Sequence, residues 1–211
     1  MFSAISSAVA APREGSVCLF IDHLDYTQKK CYTIQVRWMH MLNLYVLDAS
    51  LAKIPVFVRE ASEPDLTATS SWQTNWTSKY VKSLPNKVAL CRRDNGELLG
   101  LMSYEADGDL LAVEIIYIES AAHSNANLLR TSAGQKKYVG IAKALFAYAI
   151  IISKEAGFDG VLVFKAKTTE LVDYYIHEFG ACHAGSYDPF RLIIWEDAAE
   201  TILSEYRKED I

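Results

Sequence analysis

Nine consecutive apolar residues, 144 to 152, constrain the fold of this chain more than any other feature. They form the middle of the segment GQKKYVGIAKALFAYAIIISKEAG, which begins at Gly134 and ends at Gly157. The run is too short to cross a bilayer, which takes about 20 residues. A helix that is apolar all round has to be buried, so the segment predicts a core helix from about Gly140 to Ala156, ended by Gly157.

The segments on either side of this helix predict a mixed sheet. Residues 87–93 and 97–105 flank the Asp-Asn-Gly turn at 94–96, and Asn-Gly between apolar runs is a strong hairpin signal. After a second turn, residues 110–120 add a third strand and complete an antiparallel meander. The core helix then leads into a strand at 159–166, and a helical crossover of this kind joins parallel neighbours.

The remaining elements follow from the same local signals. Residues 38–51 fit either a helix or a buried strand, and residues 31–37 partly alternate like a strand. Strands are predicted at 54–60 and 191–196, and helices at 70–84 and 168–179. A closing helix is predicted after residue 196. The predicted fold class is α/β (α+β), with a central mixed β-sheet flanked by helices. Residues 1–53 are expected to form an N-terminal extension packed on the core.

Composition and charge limit the classes of function. The net charge of -5 argues against nucleic-acid binding by bulk electrostatics, which needs excess Lys and Arg. Residues 1–15 lack a basic start and three serines interrupt their apolar part, so a cytoplasmic protein is expected rather than a secreted one. The cysteines form no C-x-x-C pair, which indicates reduced, buried thiols and no metal site: Cys18, Cys31, Cys91 and Cys182.

The start of the core helix has the chemistry of an anion site. The N-terminus of a helix presents unpaired N–H groups and the positive end of its dipole. Gly140 would let a ligand approach the backbone, while Lys136 and Lys137 add two positive charges beside it. The alternative is a lysine-bearing loop that simply enters a buried helix.

The order of these segments resembles the GNAT superfamily of N-acetyltransferases. The family's pyrophosphate loop reads R/Q-x-x-G-x-G/A, and this chain has KYVGIA at 137–142, with the glycine and the final small residue matching. The strand AVEIIYIES precedes the loop and the strand GVLVFKAK follows the helix. DYYIHEFGA, at 173–181, stands in the place of the family's F-Y-x-x-x-G-F segment. The resemblance covers roughly residues 54 to 207.

The resemblance implies a GNAT-like acetyltransferase domain at 54–211. Acetyl-coenzyme A would be the donor, and the acceptor would be a small-molecule or peptide amine. No nucleic-acid or membrane partner is expected, and a homodimer stays open. The resemblance also implies that the cofactor is held by Ile116 and Ile118 along its pantetheine arm and by Lys136, Lys137, Tyr138, Val139, Gly140, Ile141 and Ala142 at its pyrophosphate. The alternative is a non-catalytic acyl-CoA-binding module of the same fold.

Acetyl transfer to an amine needs a base and an acid. A lysine-type amine has a pKa near about 10.4, so something must take its proton at neutral pH. Glu119 and Glu114 are the carboxylates on the relevant strand, and strict alternation would put them on opposite faces. Glu119 is preferred because it ends the strand beside the cofactor loop. Tyr175 is the expected acid for the departing thiolate, with Tyr174 behind it.

Two further groups have alternative interpretations. The family has three residues between its tyrosine and glycine, whereas four separate Tyr175 from Gly180, so the extra residue could lie on either side of the tyrosine. The long loop before the cofactor loop could line the acceptor site or lie in solvent; its polar residues include His123, Asn125 and Arg130. Trp72 and Trp76, four residues apart on the predicted helix at 70–84, are expected to be core anchors.

Overall fold

A computed structural model describes residues 42–132 and 134–207. Within these ranges nine strands form one sheet in the order β6-β1-β2-β3-β4-β5-β7-β9-β8. The strands are β1 Tyr45–Asp48, β2 Lys53–Glu60, β3 Lys87–Arg92, β4 Leu98–Asp107, β5 Ala112–Ser120, β6 Tyr138–Val139, β7 Leu162–Lys165, β8 Cys182–His183 and β9 Arg191–Ile194. The helices are α1 Glu63–Thr67, α2 Lys79–Ser83, α3 Ala126–Ser132, α4 Ile141–Glu155, α5 Thr169–Phe179 and α6 Glu196–Ser204.

The central prediction of a mixed sheet flanked by helices is confirmed. Strands β3, β4 and β5 form an antiparallel meander, and α4 then crosses over to β7, which pairs with β5 in parallel. Gly96 adopts a positive φ of 73° in the predicted hairpin turn. Of the predicted 38–51 segment, the described part contains strand β1, which pairs with β2. The predicted strand at 31–37 lies outside the described residues.

The predicted helix at 70–84 is wrong over most of its length. Only α2, Lys79–Ser83, is helical there, and residues 71–78 form turns. The backbone N–H groups of Gln73 and Thr74 donate to the side chain of Glu119 instead of to carbonyl groups one turn back. Asn75 adds a local side-chain bond to the Thr77 N–H, a contact that competes with helix formation.

The two faces of the sheet are covered differently. Helices α4, α5 and α6 pack on the first face and form the larger core with residues such as Phe146 and Phe164. The segment between β2 and β3 covers part of the second face, where Trp76 is fully buried and Trp72 partly buried. The expectation that both tryptophans anchor the core is confirmed, although no helix holds them.

A β-bulge at Ile116 changes the direction of the side chains along β5. Ser103 of β4 lies opposite Tyr117, but the next residue of β4 lies opposite Ile115, so Ile116 is an extra residue in the pairing. Ile115 therefore belongs to the core on the first face, while Tyr117 packs in the core on the second. The expectation that Glu114 and Glu119 point to opposite faces is wrong, because the bulge brings both to the second face.

The cysteine prediction holds for one of the two described residues. Cys91 is a free thiol buried in the second-face core, as expected. Cys182 is free but exposed, because it lies in the two-residue edge strand β8, whose side chains both face solvent. The expectation of a buried thiol is therefore wrong at Cys182. Cys18 and Cys31 lie outside the described residues.

Candidate functional site

A cleft opens where β5 and β7 separate. Their parallel pairing ends at Ile115 and Phe164, while β5 continues to Ser120 with a partner on its β4 side only. The bulge at Ile116 lies at the point of separation, and a bulge bends the strand that carries it. The cleft has a volume of about 320 Å³. Its walls come from β5, the loop before α4, the end of β7 and α5.

The first turn of α4 presents unpaired donors to this cleft. Gly140 precedes the helix in the left-handed conformation, with φ 92° and ψ 4°, and no side chain caps the helix. A Cβ built on Gly140 would meet no atom within 4 Å, so the glycine borders open space. The backbone N–H groups that follow it have no carbonyl partner within the helix. Gly140, Ile141 and Ala142 line the cleft, and this arrangement suits an anion.

Close packing fixes the position of that turn against the sheet. A Cβ on Gly100 of β4 would lie 2.8 Å from Ile141 Cγ2 and 3.2 Å from Leu145 Cδ1. No side chain fits at such distances, so the glycine allows the start of α4 to approach the strand directly. The body of the helix is almost entirely buried, which holds the N–H groups of the first turn rigidly.

The two lysines before Gly140 occupy different surroundings. Lys136 is exposed, lines the cleft and makes no ion pair with any of residues 42–132 and 134–207. Lys137 instead bonds to the carboxylate of Glu97, with Nζ 2.6 Å from Oε1, and does not line the cleft. Of the seven predicted loop residues the structure thus brings six to the cleft wall, and it places Lys137 outside. The predicted pantetheine residues Ile116 and Ile118 also line it.

Glu119 lies in the cleft wall with its carboxylate already bonded. The residue is 6% exposed. Oε1 accepts hydrogen bonds from the backbone N–H of Gln73 at 2.6 Å and the amide of Asn125 at 3.5 Å. Oε2 accepts from the N–H of Thr74 and the indole N–H of Trp76, both at 3.1 Å. Glu119 therefore attaches the turn at 73–76 to the end of β5, and taking up a proton would cost it one of these bonds.

The other predicted carboxylate is not part of the cleft. Glu114 lies on the paired half of β5 and is bonded to Arg191 of β9, with Nη2 3.3 Å from Oε1. The cleft wall does not include it. The structure therefore brings Glu119 to the same cleft as the loop before α4 and leaves Glu114 behind the point where the strands separate.

Tyr174 and Tyr175 of α5 both border the cleft, and Tyr175 is the buried one of the two. Tyr175 is 7% exposed and its ring packs between those of Phe146, Phe164 and Phe179. Burial raises the pKa of Tyr175 to about 12, with a smaller contribution from Tyr174. Its phenol makes no hydrogen bond to the part of the chain that the structure describes. The phenol of Tyr175 therefore stays protonated over the whole neutral range.

The irregularity in α5 lies after Tyr175. The N–H groups of Gly180 and Ala181, five and six residues further on, both donate to the Tyr175 carbonyl, whereas an α-helix bonds over four residues. Gly180 ends the helix in the left-handed conformation, with φ 64°. The last turn of the helix is therefore wider than an α-helical turn. The extra residue lies in this last turn, so it does not change the direction of the side chains before it. Leu171 and Tyr175, one turn apart, both face the cleft.

The long loop before α4 contains short helices and divides its polar residues. The loop holds a 3₁₀ turn, Ala122–Ser124, and α3. Asn125 lines the cleft and is 9% exposed, but Arg130 is exposed and bonds to Asn127. His123 faces away from the cleft toward Glu97, and burial lowers the pKa of its imidazole. Of these three residues, only Asn125 reaches the cleft.

Sequence reasoning missed several residues of the cleft wall. Gln73, Tyr117 and Lys167 line it on the second face, where the Lys167 ammonium lies 5.8 Å from the centre of the Tyr117 ring. Tyr117 could have been found only by recognising the bulge. Gln73 reaches Glu119 across 46 positions of sequence, and no local pattern indicates such a contact.

Comparisons with known proteins find similarity among solved structures. No family model matches the sequence, and no curated protein matches it. A GNAT-family acetyltransferase from Listeria monocytogenes has a TM-score of 0.46 and 14% identity, covering 71% of this chain and 98% of that chain. The KacTA–DNA complex has a TM-score of 0.44 and 12% identity, covering 71% and 99%. AtaTR bound with AcCoA has a TM-score of 0.41 and 15% identity, covering 70% and 97%.

The mixed sheet with its helices agrees with the α/β (α+β) fold class predicted from the sequence. Because the identities and TM-scores are low, we argue the function from the residues of this chain. The presence of a DNA complex among the similar structures gives no support to the expectation that nucleic acid is not a partner. No helix in residues 42–132 and 134–207 is long and apolar enough to cross a membrane. The same ranges contain no group of three His, Cys, Asp or Glu side chains that could hold a metal ion.

Proposed function

We propose that this protein is an N-acetyltransferase that moves an acetyl group from acetyl-coenzyme A to a primary amine. One observation carries the proposal: the cleft between the separated strands β5 and β7 meets the uncapped start of α4. An unpaired strand edge suits the amide-bearing arm of the donor. A helix N-terminus beside it suits the pyrophosphate.

The donor would be held at two places. The N–H groups of Ile141 and Ala142, with the ammonium of Lys136, would bind the pyrophosphate oxygens. The backbone of Ile116 to Ile118, which lacks a strand partner on the β7 side, would pair with the amides of the pantetheine arm. The acetyl group would then reach the second face of the sheet, where Glu119 lies.

In the proposed reaction the amine nitrogen attacks the thioester carbonyl carbon, and the carbon–sulfur bond breaks. A proton leaves the amine, and the departing thiolate takes one up. An N–H group of the free β5 edge would stabilise the negative charge that develops on the carbonyl oxygen. Tyr175 would donate to the thiolate, because it lines the cleft and holds its proton at neutral pH.

Glu119 is the proposed base. It is the carboxylate of β5 that lines the cleft, and it lies on the face that the acceptor would approach. To accept a proton, directly or through a water molecule, it would have to release one of its four N–H partners. The acceptor would be a small-molecule or peptide amine. We also propose that the protein is cytoplasmic and that it has no nucleic-acid partner. A homodimer is compatible with this proposal.

The four bonds at Glu119 favour a second candidate function. A carboxylate whose oxygens are all used by N–H donors could be a purely structural anchor. The protein would then be a non-catalytic module that binds acyl-CoA and does not transfer the acyl group. Binding is common to both candidates, and release of the free thiol separates them.

Calorimetry with acetyl-CoA, followed by a thiol-release assay over a panel of amines, tests the proposal. We expect Gly140→Val to weaken acetyl-CoA binding at least about tenfold, because a side chain at positive φ strains the backbone and projects into open cleft space. Gly157→Val is the matched control, since Gly157 ends the same helix with φ 83° and equally open surroundings. An equal loss in both variants, or no loss in either, would reject this site. Binding without thiol release would identify the non-catalytic module.

A further inference from the structure

The carboxylate of Glu97 joins the β3–β4 hairpin to the loop before α4. Oε1 lies 2.6 Å from the ammonium of Lys137 and 3.4 Å from Nε2 of His123. Oε2 accepts a hydrogen bond of 3.0 Å from the hydroxyl of Tyr138. Three segments that are far apart in the sequence therefore meet at one side chain, and two of the contacting residues lie just before Gly140.

The same loop residues are also fixed through their backbones. The N–H of Lys137 donates to the carbonyl of His123 at 2.9 Å, and the N–H of Tyr138 donates to the hydroxyl of Ser124 at 3.0 Å. The hydroxyl of Tyr138 accepts a further bond of 2.6 Å from Arg92. Tyr138 is 3% exposed, so its ring and hydroxyl have one defined position.

We propose that Glu97 is the positioning residue of the anion-binding start of α4, meaning the backbone of residues 140–142 together with Lys136. Tyr138 lies two residues before Gly140, a separation of about 7 Å in extended chain. A shift of its ring would therefore move the glycine and the first N–H groups of the helix. Glu97 prevents this shift by holding both Lys137 and Tyr138.

The charge of Glu97 suits this role. Burial raises the pKa of its carboxyl group, but the bonds from Lys137 and Tyr138 outweigh that effect, so the pKa lies below its ordinary value. Its side chain is 23% exposed, whereas that of Lys137 is 51% exposed, so the contact between them is only partly protected from screening by salt. Lys137 is occupied by Glu97, which leaves Lys136 as the lysine that meets the ligand. The statement that Lys136 meets the ligand rests on the proposed function, whereas the positioning of the loop does not.

Hydrogen exchange of the ligand-free protein tests the positioning. We expect Glu97→Gln to speed the exchange of the hydrogen-bonded amides of Lys137 and Tyr138 by at least about tenfold, because the loop loses its ionic contact and opens more often. Glu105→Gln is the matched control: it makes the same substitution at an exposed position toward the other end of β4, away from the loop. Equal exchange in Glu97→Gln and the parent protein would overturn the proposal. Lys137→Met should reproduce the effect of Glu97→Gln, and the double variant should add little to it.

Acetyl-CoA binding and turnover test the consequence for the ligand. We expect Glu97→Gln to raise the Kd and KM for acetyl-CoA about fivefold to tenfold while kcat stays within about twofold, since Glu97 does not touch the reacting atoms. Faster loop exchange with an unchanged Kd would overturn the statement that the ligand site depends on Glu97. If the parent protein does not bind acetyl-CoA, the proposed function fails, and the exchange measurement still decides whether Glu97 positions the loop.

Discussion

The two walls of the cleft differ in how their polar groups are paired. At the start of α4 the N–H groups after Gly140 have no partner among residues 42–132 and 134–207, and the ammonium of Lys136 makes no ion pair with them. At the end of β5 the carboxylate of Glu119 has four partners. The first wall therefore gains bonds when an anionic ligand arrives, whereas the second wall can bind something new only by giving up a bond.

This difference separates two uses of polar groups near a ligand site. Unpaired donors at a helix start are stable because water reaches them, and a ligand can replace that water. A buried carboxylate without partners would instead destabilise the fold, so Glu119 needs its N–H donors whether or not it has a catalytic role. The number of bonds at Glu119 therefore does not decide its function, and kinetic experiments have to.

The largest effect is expected at Glu119, where kinetics can show whether the fully paired carboxylate also has a catalytic role. If Glu119 is the base, Glu119→Gln should lower turnover by at least about 10²-fold. The NH₂ group of the new side-chain amide would lie against N–H groups that now donate to Glu119. Because these donors would lose their acceptor, the free energy of unfolding should fall by about 1–3 kcal/mol. Acetyl-CoA affinity, measured by calorimetry, should stay close to that of the parent protein.

Glu114→Gln is the control for this prediction, because Glu114 lies on the same strand and face but outside the cleft. Its turnover should match that of the parent. A stability loss in Glu119→Gln with turnover per folded molecule unchanged would show that Glu119 is an anchor only. A large loss of turnover in Glu114→Gln would contradict the choice of base.

An intermediate effect is expected at Tyr175, which lies between the two walls. Tyr175→Phe should lower turnover about tenfold or more, because the thiolate loses its proton donor. The pKa of about 12 means that this phenol stays protonated below that pH, so the loss should be the same from pH 6 to pH 10. Tyr174→Phe should stay close to the parent rate. A Tyr175→Phe enzyme with the parent's rate would show that the ring only packs.

The smallest effect is expected at Lys136, the unpaired ammonium beside the start of α4. Lys136→Ala should weaken acetyl-CoA binding about threefold to fivefold at low ionic strength, and the difference should shrink as salt is added, because the lysine is exposed. Lys79→Ala, which removes an exposed lysine from α2, is the control and should not change the affinity. A loss in Lys136→Ala that is independent of salt would mean that the lysine acts through packing.

The sequence was sufficient to predict the elements whose signals are local. The apolar run of α4, the Asn-Gly hairpin turn and Gly180 each fix an element through neighbouring residues, and the parallel β5–β7 pair follows from the helical crossover. All seven loop residues are predicted to lie at the cofactor, and six of them line the cleft wall. Their roles stay predictions.

The errors arose where distant contacts decide the local structure. Residues 71–78 look helical, but the bonds from Gln73 and Thr74 to Glu119 hold them as turns. Lys137 has the expected charge, but the pairing with Glu97, forty residues earlier, removes it from the cleft. Side-chain alternation along β5 failed at Ile116, because nothing in its sequence marks a bulge.

The bulge at Ile116 has a consequence for anyone who aligns or redesigns this strand. Positions that point to the second face are even-numbered before the bulge, as at Glu114, and odd-numbered after it, as at Glu119. Deleting Ile116 would leave a strand of ordinary length and composition. The remaining residues would then alternate without interruption, and Tyr117, Ile118 and Glu119 would keep their present faces and their partners on β4. A regular strand that kept Ile116 would instead turn every later side chain over, so that Glu119 would face α4 and Ile118 the second face.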